Sequence, residues 1–185
     1  MFYLFCDNWG TAKREHKWRQ NTALYCLMKE VFNMFSLLFV CHGNICRSPM
    51  AEFILKDLVQ KAGRAEEFEI ASCATSREEI WNGIGNPVYP PAKEELLKHG
   101  IACPDRHAVQ LQKSDYGRYD YLIGMDGNNI RNMMRILGSD PEHKVHKLLD
   151  YTKRGGDVAD PWYSDRFDIA YRDIYEGCKA LLEQL

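Results

Sequence analysis

The sequence predicts an α/β domain: a three-layer sandwich with a central four-stranded parallel sheet and helices on both faces. Three observations point there. Short strand-like runs alternate with stretches of helical periodicity from residue 35 onward. The first run, Ser36 to Val40, is apolar on both of its faces, as a fully covered strand requires. Strands alternating with helices also imply right-handed crossovers, which join parallel neighbours.

The elements follow in order. After the first strand, Met50, Phe53, Ile54, Leu58, Val59 and Ala62 recur at helical spacing. Phe68 to Ser72 is a second strand. Asn86-Pro87 supplies a cap and a first-turn proline for a helix carrying Val88, Ala92, Leu96 and Leu97, ended by Gly100. Tyr119 to Met125 is the third strand, and Ile130 to Leu137 a short helix closed by Gly138. Val145 to Leu149 is the fourth strand. Phe167, Ala170, Tyr171, Ile174, Cys178, Leu181 and Leu182 mark the last helix. Ligands of such sheets bind beyond the strand C-termini. Cys41 follows the first strand, Asp126 the third, and Asp160 lies in the loop after the fourth, so all three converge on one end of the sheet.

The chemistry concentrates between Phe39 and Ala51. A thiol, Cys41, and a guanidinium, Arg47, stand with five residues between them in a loop that leads into a helix. A helix start offers backbone N–H groups and partial positive charge to an anion. Gly43 and Asn44 can take the positive-φ conformations that a cradle of inward-pointing amides demands. Ser48 is a strong N-cap type whose hydroxyl can also reach a thiolate, and Pro49 suits the first helical position. The loop can wrap a tetrahedral oxyanion, with the thiol beneath it and the planar fork of Arg47 along its side.

Asp160-Pro161-Trp162-Tyr163 is the second chemical feature. Displacing a phosphate ester with a thiolate leaves an alkoxide or phenoxide in need of a proton, and an aspartic acid can supply it for about 10²–10⁴-fold in rate. Pro161 disfavours helical backbone at Asp160. Trp162 and Tyr163 can wall a slot for a flat ring. Alone, the same four residues would mark an ordinary turn; beside the Cys41 loop they read as acid and walls.

Composition restricts the function classes. A chain of 185 residues supports one domain with a sizeable core. A net charge of -2 gives no basic field for nucleic acid or an anionic membrane. The seven cysteines, at 6, 26, 41, 46, 73, 103 and 178, lack the paired spacings of a zinc site. They suit a reducing cytoplasm. His143 and His146 flank an apolar strand without partners, so no metal is expected. Residues 1–34 form an extension of different character from 35–185. It holds no apolar run long enough for a membrane span, and its charges fall in the wrong order for a secretory signal. It reads either as an accessory helix or as sequence upstream of a start at Met34, and the second is favoured.

The stretch Val40-Cys41-His42-Gly43-Asn44-Ile45-Cys46-Arg47-Ser48-Pro49-Met50-Ala51-Glu52 resembles the active-site loop of the low-molecular-weight protein tyrosine phosphatases. Similarity continues at Asn86-Pro87, Tyr121 to Asp126 and Asp160 to Tyr163, in the family's order. The resemblance implies a flavodoxin-like, phosphotyrosine phosphatase I-like fold and phosphotyrosine hydrolysis through a cysteinyl-phosphate, without cofactor or metal. It implies Cys41 as nucleophile, Arg47 as phosphate clamp and Asp160 as general acid and base. It places the phosphate among residues His42 to Cys46 and Ser48, and supports the loop through Asn44, Ser48 and Ser72, with Ser72 and Asp126 just behind the residues that touch substrate. The ring slot would be lined by Ile45, Trp81, Trp162 and Tyr163. A phosphotyrosine protein is the implied partner, acted on by a monomer or weak homodimer.

Two departures stand out. His42 occupies a position that is often small or aliphatic in the family. Arg106-His107-Ala108-Val109-Gln110 replaces a pattern whose first residue is a histidine supporting the loop asparagine, so either Arg106 or His107 takes that part. Three competitors share the loop. A thioredoxin-coupled arsenate reductase needs two further cysteines close together, whereas Cys73, Cys103 and Cys178 are scattered. A protein-arginine phosphatase carries threonine where this chain has Ile45. A non-catalytic phosphoprotein-binding module usually lacks the nucleophile or the acid, and both are present here.

Overall fold

In the computed structural model, residues 34–185 are described. Both readings of the N-terminal extension lie outside the described residues, apart from Met34. Strand β1 (Phe35–Cys41) leads through the cysteine loop into helix α1 (Arg47–Lys61), and β2 (Phe68–Ala74) follows. A two-stranded hairpin, β3 (Ile80–Trp81) and β4 (Ile84–Gly85), precedes α2 (Pro90–Lys98). Then come β5 (Tyr121–Gly124), α3 (Gly127–Leu137), β6 (Val145–Lys147) and α4 (Phe167–Leu182).

The main sheet has four strands in the order β2-β1-β5-β6, all parallel. Alternation along β1 divides the core. Leu37, Phe39 and Cys41 enter one apolar cluster, together with Met50, Ile54, Leu96, Ile174 and Cys178 from α1, α2 and α4. Leu38 and Val40 enter the other, with Met133 and Leu137 from α3. Successive side chains of a strand point to opposite faces, so a strand apolar throughout needs cover on both. That cover makes the three layers. Strand order reverses direction between β1 and β5, and a crevice opens outside the strand ends at such a point. Cys41 ends β1, and Asp126 lies two residues beyond β5.

Several boundaries differ from the sequence reading. Helix α2 starts at Pro90, not at Asn86-Pro87. Asn86 instead pairs with Glu79 through its main-chain N–H (2.7 Å) and its Nδ2 (2.7 Å), and Pro87 bridges antiparallel to His107. Tyr89 caps α2 with extended backbone, the conformation a residue before proline prefers. Ser48 and Pro49 lie inside the first turn of α1 rather than at its cap, because the helix already begins at Arg47. The third and fourth strands are shorter than expected, and Leu148–Tyr151 forms a 3₁₀ turn. Asp126 caps α3, its Oδ1 accepting from Asn129 N–H at 2.7 Å.

Candidate active site

The loop after β1 closes around the Cys41 sulfur. Asn44 N–H points at Sγ (3.3 Å), and Ser48 Oγ stands 3.0 Å away. Ser48 Oγ accepts from Asn44 Nδ2 at 2.9 Å and can donate to Cys73 O at 3.4 Å; against an ionised sulfur, which can only accept, its proton turns to Sγ instead. Two donors therefore face a sulfur that carries negative charge as a thiolate. Asn44 has φ of 58°, a left-handed conformation that asparagine tolerates better than most residues. Gly43 does not need positive φ. A Cβ there would meet Glu79 Cγ at 2.9 Å, so its missing side chain lets the Glu79 segment approach.

Asn44 is locked in turn. Its Nδ2 also donates to Ser72 Oγ (2.9 Å), and its Oδ1 accepts from Val109 N–H (3.0 Å) and Arg106 Nη2 (3.2 Å). Arg106 Nη2 reaches Ser72 Oγ as well (2.9 Å), and Nε pairs with Glu52 Oε2 (3.1 Å). Ser72 Oγ donates to that same Glu52 oxygen at 2.6 Å. Of the two residues that could support the loop asparagine, Arg106 does so, whereas the His107 side chain is exposed and stands 4.0 Å from Asp105. Glu52 is buried at 4 % exposure, which disfavours its charge, yet Lys56, Arg106 and Ser72 outweigh burial and hold its carboxyl below the usual range.

Arg47 is the centre of charge. Its side chain is 5 % exposed and holds Asp126 Oδ2 on Nη1 and Asp160 Oδ2 on Nη2, both at 2.6 Å, with Val158 O at 3.5 Å. Burial opposes the guanidinium charge, but Cys41, Asp160 and Asp126 together overcome it and raise its pKa. Asp126 thus caps α3 with one oxygen and orients the arginine with the other. Asp160 is half-exposed at the rim, its Oδ1 accepting from Trp162 N–H (3.1 Å).

These groups open on a cavity of about 350 Å³, within the range of small-ligand clefts. Cys41, His42, Gly43, Ile45, Cys46, Arg47, Asp126, Asp160, Trp162 and Tyr163 all line it. Asn44, Ser48 and Ser72 stand behind the lining, in the network that shapes the loop. Tyr163 is 91 % exposed, and Trp162 packs against Tyr89 with the rings tilted at 50° and their centroids 5.5 Å apart. Trp81 is not among the lining residues. It pairs with Ile84 across the β3–β4 hairpin, and both are more than 70 % exposed. Ile80 and Gly85 take the inner face, where a Cβ on Gly85 would strike Ala108 O at 2.0 Å. Period-two alternation therefore turns Trp81 outward. The sequence reading missed Glu78 and Glu79 on one side of the cavity and Asn128, Asn129 and Asn132 on the other. His42 is turned to the rim, its Nε2 2.7 Å from Glu78 Oε2. Cys46 is buried, and burial followed by Cys41 and Asp160 pushes its thiol up to about 12.

A thiol and a buried guanidinium at the switch point of a doubly wound sheet define a class: enzymes that cleave phosphate esters through cysteine. Residues 36–185 match the family model described as low molecular weight phosphotyrosine protein phosphatase, and the chain belongs to that family. Among its relatives is the low molecular weight protein-tyrosine-phosphatase YfkJ of Bacillus subtilis, 37% identical over 154 residues, spanning 82% of this chain and 96% of that one. The low molecular weight phosphotyrosine protein phosphatase of Schizosaccharomyces pombe is 37% identical over 155 residues, with 80% and 96% of the two chains covered. The crystal structure of YfkJ superposes with a TM-score of 0.76 at 37% identity, covering 82% of this chain and 94% of that one.

Proposed function

We propose that the chain hydrolyses phosphotyrosine in protein substrates, in two steps at the Cys41 cavity. The carrying observation is that Arg47, held from behind by Asp126, shares one cavity with the Cys41 sulfur and the Asp160 carboxyl. Cys41 thiolate attacks phosphorus in line while Arg47 and the loop amides take the equatorial oxygens. Phosphate brought against Arg47 competes with Asp160 for Nη2. Acting as the acid, Asp160 gives a proton to the leaving phenolic oxygen, and a cysteinyl-phosphate remains. Water attacks that intermediate with Asp160 as base, regenerating the thiolate and releasing phosphate.

Ile45, Trp162 and Tyr163 among the lining residues support a phenyl ring over a guanidino phosphate. Among the described cysteines none supports a reductase relay. Cys73 is buried in the opposite core cluster, Cys178 is buried on α4 with its Sγ against Ala51 O, and Cys103 does not line the cavity. The described cysteines are all free, which fits a cytoplasmic protein acting on phosphoproteins. None of the described helices is long and apolar enough to cross a membrane.

The test is Asp160→Asn across aryl phosphates of graded leaving-group acidity. In kcat/KM, which ends at the cysteinyl-phosphate, phenyl phosphate should slow far more than p-nitrophenyl phosphate, since only the poor leaving group needs a proton at departure. A uniform loss across the series would remove Asp160 as the acid.

A further inference from the structure

Asp173 lies on α4, outside the cavity, yet it is a carboxylate with only 5 % exposure. Burying an ionised carboxyl is costly unless its lone pairs are filled. Its Oδ2 accepts from Ala159 N–H at 3.1 Å, and its Oδ1 accepts from Arg154 Nη2 at 2.8 Å. Arg172 Nη2 is 3.8 Å from the same Oδ1. Ala159 directly precedes Asp160, so the contact falls one peptide from the acid.

The segment leading to Asp160 is held at three successive groups. Val158 N–H donates to Met125 O (2.9 Å), next to Asp126. Val158 O accepts from Arg47 Nη1, and Ala159 N–H goes to Asp173. The first two anchors belong to the phosphate-binding side. The third comes from a different element, and that element is rigid: Ile174 and Cys178 are fully buried, with Cys178 Sγ 3.7 Å from Ala51 O on α1. An exposed rim carboxyl needs such an anchor. Asp160 has a side chain that is 42 % exposed; among the described residues its carboxyl meets, beyond Arg47, Trp162 N–H, and its main-chain carbonyl accepts from Ser164 Oγ, both in its own turn.

We propose that Asp173 is a positioning residue for the general acid: by accepting the Ala159 amide it sets the height of Asp160 over the leaving-group oxygen. Arg154 balances the buried charge and also pairs with Glu176 Oε2 (2.9 Å), which ties the loop base to α4. Asp173 neither touches substrate nor moves a proton. Its effect is confined to the step that needs Asp160, because the Cys41 cradle is supported through Arg106, Ser72 and Asp126 instead.

This inference rests on Asp160 being the acid, so D160N is measured beside it. D173A removes the acceptor, D173E displaces it by one methylene while keeping the charge, and D173N keeps an acceptor but not the charge. D173A and D173E should slow phenyl phosphate about 10–100-fold, the scale of a misplaced catalytic group. In kcat/KM, which ends at formation of the cysteinyl-phosphate and so excludes the hydrolysis that also uses Asp160, they should leave p-nitrophenyl phosphate within about twofold. D173N should recover the wild-type ratio of the two rates, and R154Q should lower the melting temperature without moving that ratio. If D173A does not fold, D173E decides. An equal effect on both esters, in a background where D160N discriminates between them, overturns the positioning role alone. If D160N itself fails to discriminate, the acid assignment falls first.

Discussion

Replacing Arg106 with alanine tests the loop-support network most directly. The substitution deletes an ion pair to Glu52 and the guanidinium hydrogen bonds to Asn44 and Ser72, at a site where Glu52 is 4 % exposed. Breaking a buried pair from one side costs about 3–5 kcal/mol, since the remaining charge stays desolvated. Lys56 still holds Glu52 Oε1 at 2.6 Å, so the lower end, about 3 kcal/mol, is expected. For a chain of this size, that corresponds to a melting temperature about 6–12 °C lower. Activity should fall as well, because Asn44 Oδ1 loses one of its two donors, keeping Val109 N–H, and Ser72 Oγ loses the Arg106 guanidinium. The pH dependence carries a sign. Glu52 is depressed below its ordinary 4.5 in the folded state, so its contribution is present above 4.5 and is lost as pH falls through the folded value. The stability gap between wild type and R106A should therefore be full near neutrality and shrink in acid. Circular-dichroism melts from pH 3 to 7, with p-nitrophenyl phosphate turnover at each stable pH, make the measurement. H107A, at an exposed position, is the control. An R106A protein that melts within a degree of wild type, or an H107A variant with the larger loss, would refute the assignment.

Cys41→Ser should abolish turnover but retain vanadate or phosphate binding, because Arg47 and the loop amides remain; isothermal titration reads this. Cys46→Ser should keep substantial activity, and equal loss in both variants would remove Cys41 as sole nucleophile. Ile45→Thr replaces an apolar wall with a hydroxyl and should shift the ratio of phosphotyrosine to phosphoarginine turnover by about 1–3 kcal/mol towards phosphoarginine. A wild-type preference for phosphoarginine would contradict the ring-slot reading. Peroxide should inactivate reversibly: Cys41 sulfenic acid is captured by the Cys46 thiol in the same cavity, with loss of water, and a dithiol restores activity. Peptide mapping that finds Cys41 as sulfinic acid beside a free Cys46 would end that proposal.

What the sequence made legible was local chemistry. The Ser36–Val40 run, the loop chemistry from Cys41 to Ser48 and the helical spacing after it are short-range patterns, and together they placed the switch point. Asp126 and Asp160 were legible because each follows a strand. The hairpin carried a readable signal that went unused: Asn82-Gly83, with φ of 50° and 79°, is a two-residue turn of the kind that strand twist favours. Reading it would have turned Trp81 outward, since Trp81 and Ile84 share a face. Arg106 and His107 could not be separated from sequence, because neighbouring residues of an extended segment point to opposite sides and the phase is set by remote pairings. Here Val88 N–H to Arg106 O and the Pro87–His107 bridge set it.

Asp173 was hidden for a related reason. A carboxylate between Arg172 and Ile174 on an amphipathic helix reads as solvent-facing, and only the return of the Val158–Ala159 segment across α4 buries it. Glu52 shows the same logic on α1. Helical spacing puts it beside Lys56 as an ordinary i, i+4 pair, while its second oxygen reaches Ser72 on β2 and Arg106 from far along the chain. Neither carboxylate lines the cavity: Asp173 holds the Ala159 N–H one peptide before Asp160, while Glu52 holds the side chains of Ser72 and Arg106, which in turn hold Asn44. Each is a buried charge on a covering helix whose partners come from segments remote in sequence, and such pairings appear only once the chain is folded.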